Sequence, residues 1–314
     1  MTTTAIPAYV ALIGGANMDI SAHSHNPMRA ADSNPGVVSC SPGGVARNVA
    51  ENLCRLQVDA RLLSVLGNDT FALVMRQSAQ AIGLDMRACV TLASQRTATY
   101  VSLHGVDGDM SVAVNDMAIL EQLTPDLVLS HASLLEQAQA VVVDCNVRAD
   151  VLQAVCSHRP RQVLFAEAVS VAKCHKLLSV LPHLHTLKAN LMEAQALSGV
   201  EISTPQSALE AALALHARGA RQVVISLADA GVVWCDADGA TGHRAVRPVQ
   251  MVSATGAGDA LLAGLVYGHL KHMPLHQAVA WAMACAELTL SSTFANSPEL
   301  SVAAVQARLE QHTL

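Results

Sequence analysis

The chain has few aromatic residues, 3% in all, although 52% of it is hydrophobic. Its core must therefore be built from Ala, Val, Leu, Ile and Met. No excess of basic residues is present: 19 Lys and Arg stand against 25 Asp and Glu, a net charge of −6. With no basic stripe, binding to nucleic acid or to an anionic membrane has little electrostatic support, although a single nucleotide needs only a local site. No two of the eight cysteines form a C-x-x-C, and no zinc spacing occurs. They read as reduced, mostly buried thiols of a cytoplasmic protein. The start, Met1 to Ala5, lacks the basic and apolar regions of a signal peptide. No apolar run reaches the roughly 18 residues of a transmembrane helix. The fourteen histidines show no metal-ligand spacing, and His23 and His25 read as solvated loop residues. Walker A and G-x-G-x-x-G motifs are both missing, which weakens P-loop and dinucleotide readings.

What is present is an alternation of strand and helix signals. Tyr9–Ile13 reads as a buried strand ending at Gly14-Gly15, and residues 21–42 as polar and turn-rich. Helical patterns cover Val45–Leu56 and Thr70–Ile82, the latter closed by Gly83, with a strand at Arg61–Leu66 between them. Thr97–His104 and Ser111–Val114 flank Gly105–Gly108 as a hairpin. Strands at Ala140–Val143, Gln162–Phe165, Thr186–Lys188 and Gln222–Ser226 then accompany helices at Pro205–Arg218 and Ala257–Lys271. This order predicts an α/β fold with a mostly parallel sheet covered on both faces, and a small β-rich lid outside it. One domain, 1–314, is expected, with the lid at about 20–42 and 88–117.

Four segments could carry chemistry. In Thr255-Gly256-Ala257-Gly258-Asp259, two glycines bring the N–H groups of a helix start close to an anion. A carboxylate beside that anion makes sense as the acceptor of a proton from an attacking hydroxyl. The same residues also fit an ordinary helix start, with Thr255 as N-cap and Asp259 favoured by the helix dipole. In Ser41-Pro-Gly43-Gly44-Val-Ala-Arg-Asn48, the glycine pair admits a ligand and Asn48 can bind sugar hydroxyls. Asn17 and Asp19 follow the first strand, where ligands of open α/β sheets bind. Asn190 and Glu193 could hold Mg²⁺ through water, or form a capping box.

In this order the motifs resemble the PfkB (ribokinase-like) carbohydrate kinase family across nearly the whole chain. The resemblance implies a ribokinase-like three-layer α/β/α sandwich and an ATP-dependent phosphotransferase using Mg²⁺. It implies Asp259 as catalytic base, with the amides of Gly256, Ala257 and Gly258 as the anion hole. Asn17, Asp19, Gly43, Gly44, Asn48 and Asn115 would bind substrate. Asn190, Ser226, Gly231, Thr255, Gly256 and Gly258 would bind nucleotide, and Glu193 with Asn190 would hold metal through water. The stretches Ala31–Gly36, Asn115–Met117, Asp144–Asn146, Val169-Ser170, Lys173-Cys174 and Leu187-Lys188 are similar to those of pseudouridine kinases. The expected reaction is phosphorylation of pseudouridine at its 5′-hydroxyl. A kinase for ribose or another nucleoside is the alternative, and a non-catalytic sensor the third reading. Homodimerisation through the lid is implied as well. The chain departs from the family pattern at Ala72, Glu167-Ala168, Ala189, Ala228 and Ser253-Ala254, and the last pair leaves a bound monovalent cation open.

Overall fold

A computed structural model describes residues 8–158, 162–247 and 249–311; the Met1–Ala5 stretch lies outside them. In chain order the strands are β1 (Tyr9–Ile13), β2 (Asn17–Ser24), β3 (Gly36–Gly43), β4 (Asp59–Leu63), β5 (Val65–Gly67), β6 (Val90–Leu92) and β7 (Thr99–His104). They continue with β8 (Met110–Asp116), β9 (Ala140–Asp144), β10 (Val163–Glu167), β11 (Thr186–Asn190), β12 (Gln222–Ser226), β13 (Val232–Cys235) and β14 (Thr241–Arg244). The helices are α1 (Val45–Arg55), α2 (Thr70–Ile82), α3 (Pro125–Ser130), α4 (Ala132–Glu136), α5 (Ala149–His158) and α6 (Val171–Cys174). They end with α7 (Leu191–Ser198), α8 (Pro205–Ala217), α9 (Ala257–Leu270), α10 (Leu275–Leu290) and α11 (Val302–Gln311).

An eight-stranded sheet of order β14-β13-β12-β11-β10-β9-β1-β4 forms the middle layer. The six strands from β12 to β4 pair in parallel, while the β12–β13 and β13–β14 pairs are antiparallel. Successive side chains of a strand face opposite ways. Val10, Leu12, Ala140, Val142 and Val224 therefore join α1, α2, α9 and α10 in one core. Ala11, Ile13, Val141, Val143 and Ile225 join α5, α7 and α8 in the other. This is the expected three-layer sandwich. It explains why these strands read as unbroken apolar runs: both faces are buried.

Two expectations need correction. The single strand at Arg61–Leu66 is two strands, broken at Ser64. The Ser64 hydroxyl donates to the Gly14 carbonyl at 2.7 Å, β4 stays in the main sheet, and β5 turns away to pair with β6. Residues 21–42 are not only turns, because β2 and β3 run antiparallel through half of them. With β7 and β8 they make a second sheet of order β3-β2-β7-β8. That sheet starts at Asn17 rather than near residue 20, and β6, within 88–98, belongs elsewhere. No helix among the described residues is long and apolar enough to cross a membrane. All eight cysteines are free, and six are buried.

Candidate active site

The carboxyl ends of β1, β9 and β11, the root of the small sheet and two helix starts come together in one region. Helix α9 enters it with Gly256 as N-cap in a left-handed conformation, φ 81°, and with no side-chain cap. This corrects the reading of Thr255 as cap. A side chain at Gly256 would strike the Ala295 carbonyl, so only glycine lets the loop pass. The Ala257 N–H makes one long contact, 3.5 Å, to the Ala254 carbonyl. Those of Gly258 and Asp259 have no partner among the described residues. An uncapped helix start of this kind is an anion site. The Lys188 ammonium stands 2.8 Å from where a Cβ on Gly258 would lie, which puts a cation directly behind the loop.

Asp259 lies in the first turn of α9. Its Oδ2 accepts from Asn48 Nδ2 at 2.8 Å. Burial pushes its carboxyl up to about 6; the Asn48 hydrogen bond and the Lys188 charge pull it down, and Asp144 and Asp19 push it further up. The group is thus a carboxylate that is readily protonated near neutral pH.

Asn48 sits one turn into α1, whose N-cap is Gly44. Opposite it, Asn17 Nδ2 donates to Asp19 Oδ1 at 2.6 Å, so alternate residues of β2 do share one face. A Cβ on Gly43 would overlap the Asp19 carboxylate, and glycine is required there for Asp19 to keep its place. Burial raises the Asp19 carboxyl, against the Asn17 hydrogen bond and the Arg47 charge. Asn115 is exposed on β8, in the cross-strand row that runs from Asp19 through Tyr100. It lies two strands away from Asp19 and does not join the cluster.

On the far side, Asn190 and Ser226 are register partners at the ends of β11 and β12. Gly231 closes the following turn at φ 97°. Asn190 and Glu193 form a capping box: each backbone N–H donates to the other's side chain, and Asn190 Nδ2 donates to Glu193 Oε1 at 2.8 Å. Both Glu193 oxygens are therefore engaged, and the side chain is buried. Direct metal ligation by Glu193 is absent from this geometry; contact through water is what remains open to it.

Four further residues lie at the site. Lys188 Nζ pairs with Glu167 Oε1 at 2.8 Å, both buried. Burial pushes Glu167 up to about 8, against the pull of Lys188, and its Oε2 has no hydrogen-bond partner. Asp144, at the end of β9, accepts from the N–H groups of Gly15, Ala46 and Asn146 at 2.8, 2.9 and 2.8 Å. It ties the first loop, the start of α1 and its own loop into one piece. A charged residue ending an apolar strand is the signal that would have found Asp144. Asn296, which donates to Asn48, had no signal at all.

The model of the pfkB family carbohydrate kinases matches residues 7–301. The chain belongs to this family. It is 35% identical to pseudouridine kinase of Escherichia coli (strain K12) over 302 residues, 96% of each chain. It is also 35% identical to an uncharacterized sugar kinase of the same organism, over 93% of this chain and 81% of the relative. Among solved structures it is similar to a carbohydrate kinase from Agrobacterium tumefaciens, at 27% identity and a TM-score of 0.86, covering 96% of this chain and 97% of that one. This PfkB kinase is a phosphotransferase acting on an alcohol group of a sugar or nucleoside. Its ribokinase-like sandwich is the fold of those neighbours.

Proposed function

We propose that the protein transfers the γ-phosphoryl group of ATP to the 5′-hydroxyl of pseudouridine. The observation that carries the reading is the position of Asp259, with one oxygen held by Asn48 and the unpaired N–H groups of α9 beside it. The similarity to a pseudouridine kinase supports the choice of nucleoside. Asn17, Asp19 and Asn48, with the bare backbone of Gly43 and Gly44, hold the ribose. Asp259 takes the 5′-hydroxyl proton as that oxygen bonds to the γ-phosphorus. The bond from phosphorus to the β–γ bridging oxygen breaks, and ADP leaves. The N–H groups of Gly256, Ala257 and Gly258, with Lys188, receive the charge of the moving phosphoryl group. Asn190, Ser226, Thr255 and Gly231 line the nucleotide side.

Among the described residues no three His, Cys, Asp or Glu side chains come together as a direct metal site, so a divalent cation would be held through water. Three carboxyl groups, of Glu167, Glu193 and Asp259, act on the one ammonium of Lys188, and Glu167 Oε2 has no hydrogen-bond partner. Asn190 and Glu193 would hold Mg²⁺ through water, as this ion prefers. When bound, Mg²⁺ neutralises the β- and γ-phosphate oxygens.

The small sheet acts as a lid that excludes water. Its strand alternation puts Asp19, Ser21, Ser102 and His104 on one face and Ile20, Val38, Leu103, Val112 and Val114 on the other. Of the apolar set, Val38, Leu103, Val112 and Val114 are exposed. A largely apolar sheet face opposite a substrate-facing one suits a second copy of the same sheet, giving a homodimer. The eight free thiols suit the reducing cytoplasm.

The test is ADP release with pseudouridine, uridine, adenosine, ribose and fructose. Pseudouridine is expected to be turned over fastest, and a rate no better than that with ribose would sink the assignment in favour of a ribose kinase. Asp259→Asn is expected to lose turnover by about a thousandfold while still binding nucleoside.

A further inference from the structure

The Asn48 amide has two ends, and each has one partner. Nδ2 donates to Asp259 Oδ2 at 2.8 Å, and Oδ1 accepts from Asn296 Nδ2 at 2.9 Å. Asn296 lies between α10 and α11, 248 residues along the chain from Asn48. Its Nδ2 also faces Glu51 Oε2 at 3.4 Å. Glu51 is held in turn by Arg47 at 2.9 Å and Arg55 at 2.6 Å. Asn48, Glu51 and Asn296 are all buried, so water does not exchange freely with these bonds.

Orientation passes along this chain of contacts. The Glu51 carboxylate and the Asn48 carbonyl are both acceptors, so Asn296 must turn its NH₂ toward them. An Asn48 carbonyl engaged by Asn296 leaves the Asn48 NH₂ facing Asp259. Without the Asn296 donor, the Asn48 amide can rotate by half a turn. Its oxygen would then face the Asp259 carboxylate, an arrangement tolerated only when Asp259 carries a proton.

We propose that Asn296 is a positioning residue for Asp259: it locks the Asn48 amide in the one orientation that keeps Asp259 ionised and ready to accept a proton. The inference rests on Asp259 being the base. The other groups facing Asp259 are Lys188 on β11, Asp144 on β9 and Asp19 on β2, and a change at Asn296 touches none of them. Gly256 packs against the neighbouring Ala295 carbonyl, so the same segment supports the anion loop and the base.

The experiment is the pH profile of kcat/KM from pH 5 to 9 in the wild type, Asn296→Ala, Asn296→Asp and Asn296→Ser. Loss of the donor in the Ala variant is expected to move the acidic limb up by about one pH unit, a roughly fivefold loss at pH 6 that largely recovers at pH 9. The Asp variant, which presents an acceptor to Asn48, is expected to move it further, and Ser, which keeps a donor, less. A folded Ala variant with an unmoved limb, or one that only raises KM, overturns the proposal. Should the Ala variant not fold, the Asp and Ser profiles give the same comparison, and coincident limbs there overturn it. Retained turnover in Asp259→Asn instead overturns the base assignment itself. Inactive Asp259→Asn beside an unmoved Asn296→Ala profile removes only the role of Asn296.

Discussion

Asp259 is a carboxylate kept where water would suit it better. Burial raises it from 3.8 to about 6, so between those values the folded chain holds a proton that the unfolded chain releases. Its ionisation therefore subtracts stability, and stability falls as pH rises through that window. Asp259→Asn removes the charge and keeps an acceptor for Asn48. It is expected to stabilise the fold by about 1 kcal/mol at pH 7.5, a figure reduced for the partial exposure of the group. The gain should shrink toward zero near pH 4. Urea denaturation at both pH values checks this, and a variant no more stable than wild type at pH 7.5 would contradict it. Ala228 and Val169 show the same economy of strain. Both carry positive φ, 51° and 68°, on loops after β12 and β10, at the carboxyl edge of the sheet.

At the scale of elements, the four helices read from the sequence match α1, α2, α8 and α9, while α10 and α11 escaped it. Thr70–Ile82 with its Gly83 cap was read to the residue, because Gly83 takes the left-handed position that ends a helix. Residues 21–42 were not, since their turn signals, Asn26-Pro27 and Asn34-Pro35, mark only the connection between β2 and β3. Of the strands on either side, β2 pairs with β7, which follows more than fifty residues later, and β3 pairs with β2. The apolar face they complete makes a prediction. Val112→Lys with Val114→Lys puts two charges on that face without touching the face that bears Asp19. The double variant is expected to be monomeric by sedimentation while the wild type is dimeric. An unchanged sedimentation coefficient would exclude this face as the interface. Loss of the dimer is also expected to raise KM, because a free lid has more conformations to lose on closure.

At the scale of the molecule, binding and chemistry should separate. A nucleoside that binds only the folded chain stabilises it by about 2.7 kcal/mol at a hundredfold excess over Kd, a rise in melting temperature of several degrees. Asp19→Ala is expected to abolish the rise with pseudouridine, because Asp19 is proposed to hold the ribose. Asp259→Asn is expected to keep it. A rise that survives Asp19→Ala would move the ribose site elsewhere. The site exists only as an assembly of distant segments: loop 14–15, the Gly43–Asn48 start of α1, Asp144, Lys188 and the start of α9. Asp144 joins three of them through buried hydrogen bonds.

The sequence by itself determined the layered fold, the glycine-rich helix starts at Gly44 and Gly256, and Asp259 as the acid among them. These are local matters, set by side-chain period and by backbone that only glycine adopts. Tertiary structure decided that Gly256 rather than Thr255 caps α9 and that Asn115 stands apart, and of the two readings of Asn190 and Glu193 it shows the capping box. It alone brought Lys188 behind Gly258 and Asn296 against Asn48. Those contacts join residues tens to hundreds of positions apart, and a hydrogen bond's partner is chosen by where the packed chain places it rather than by its neighbours along the chain.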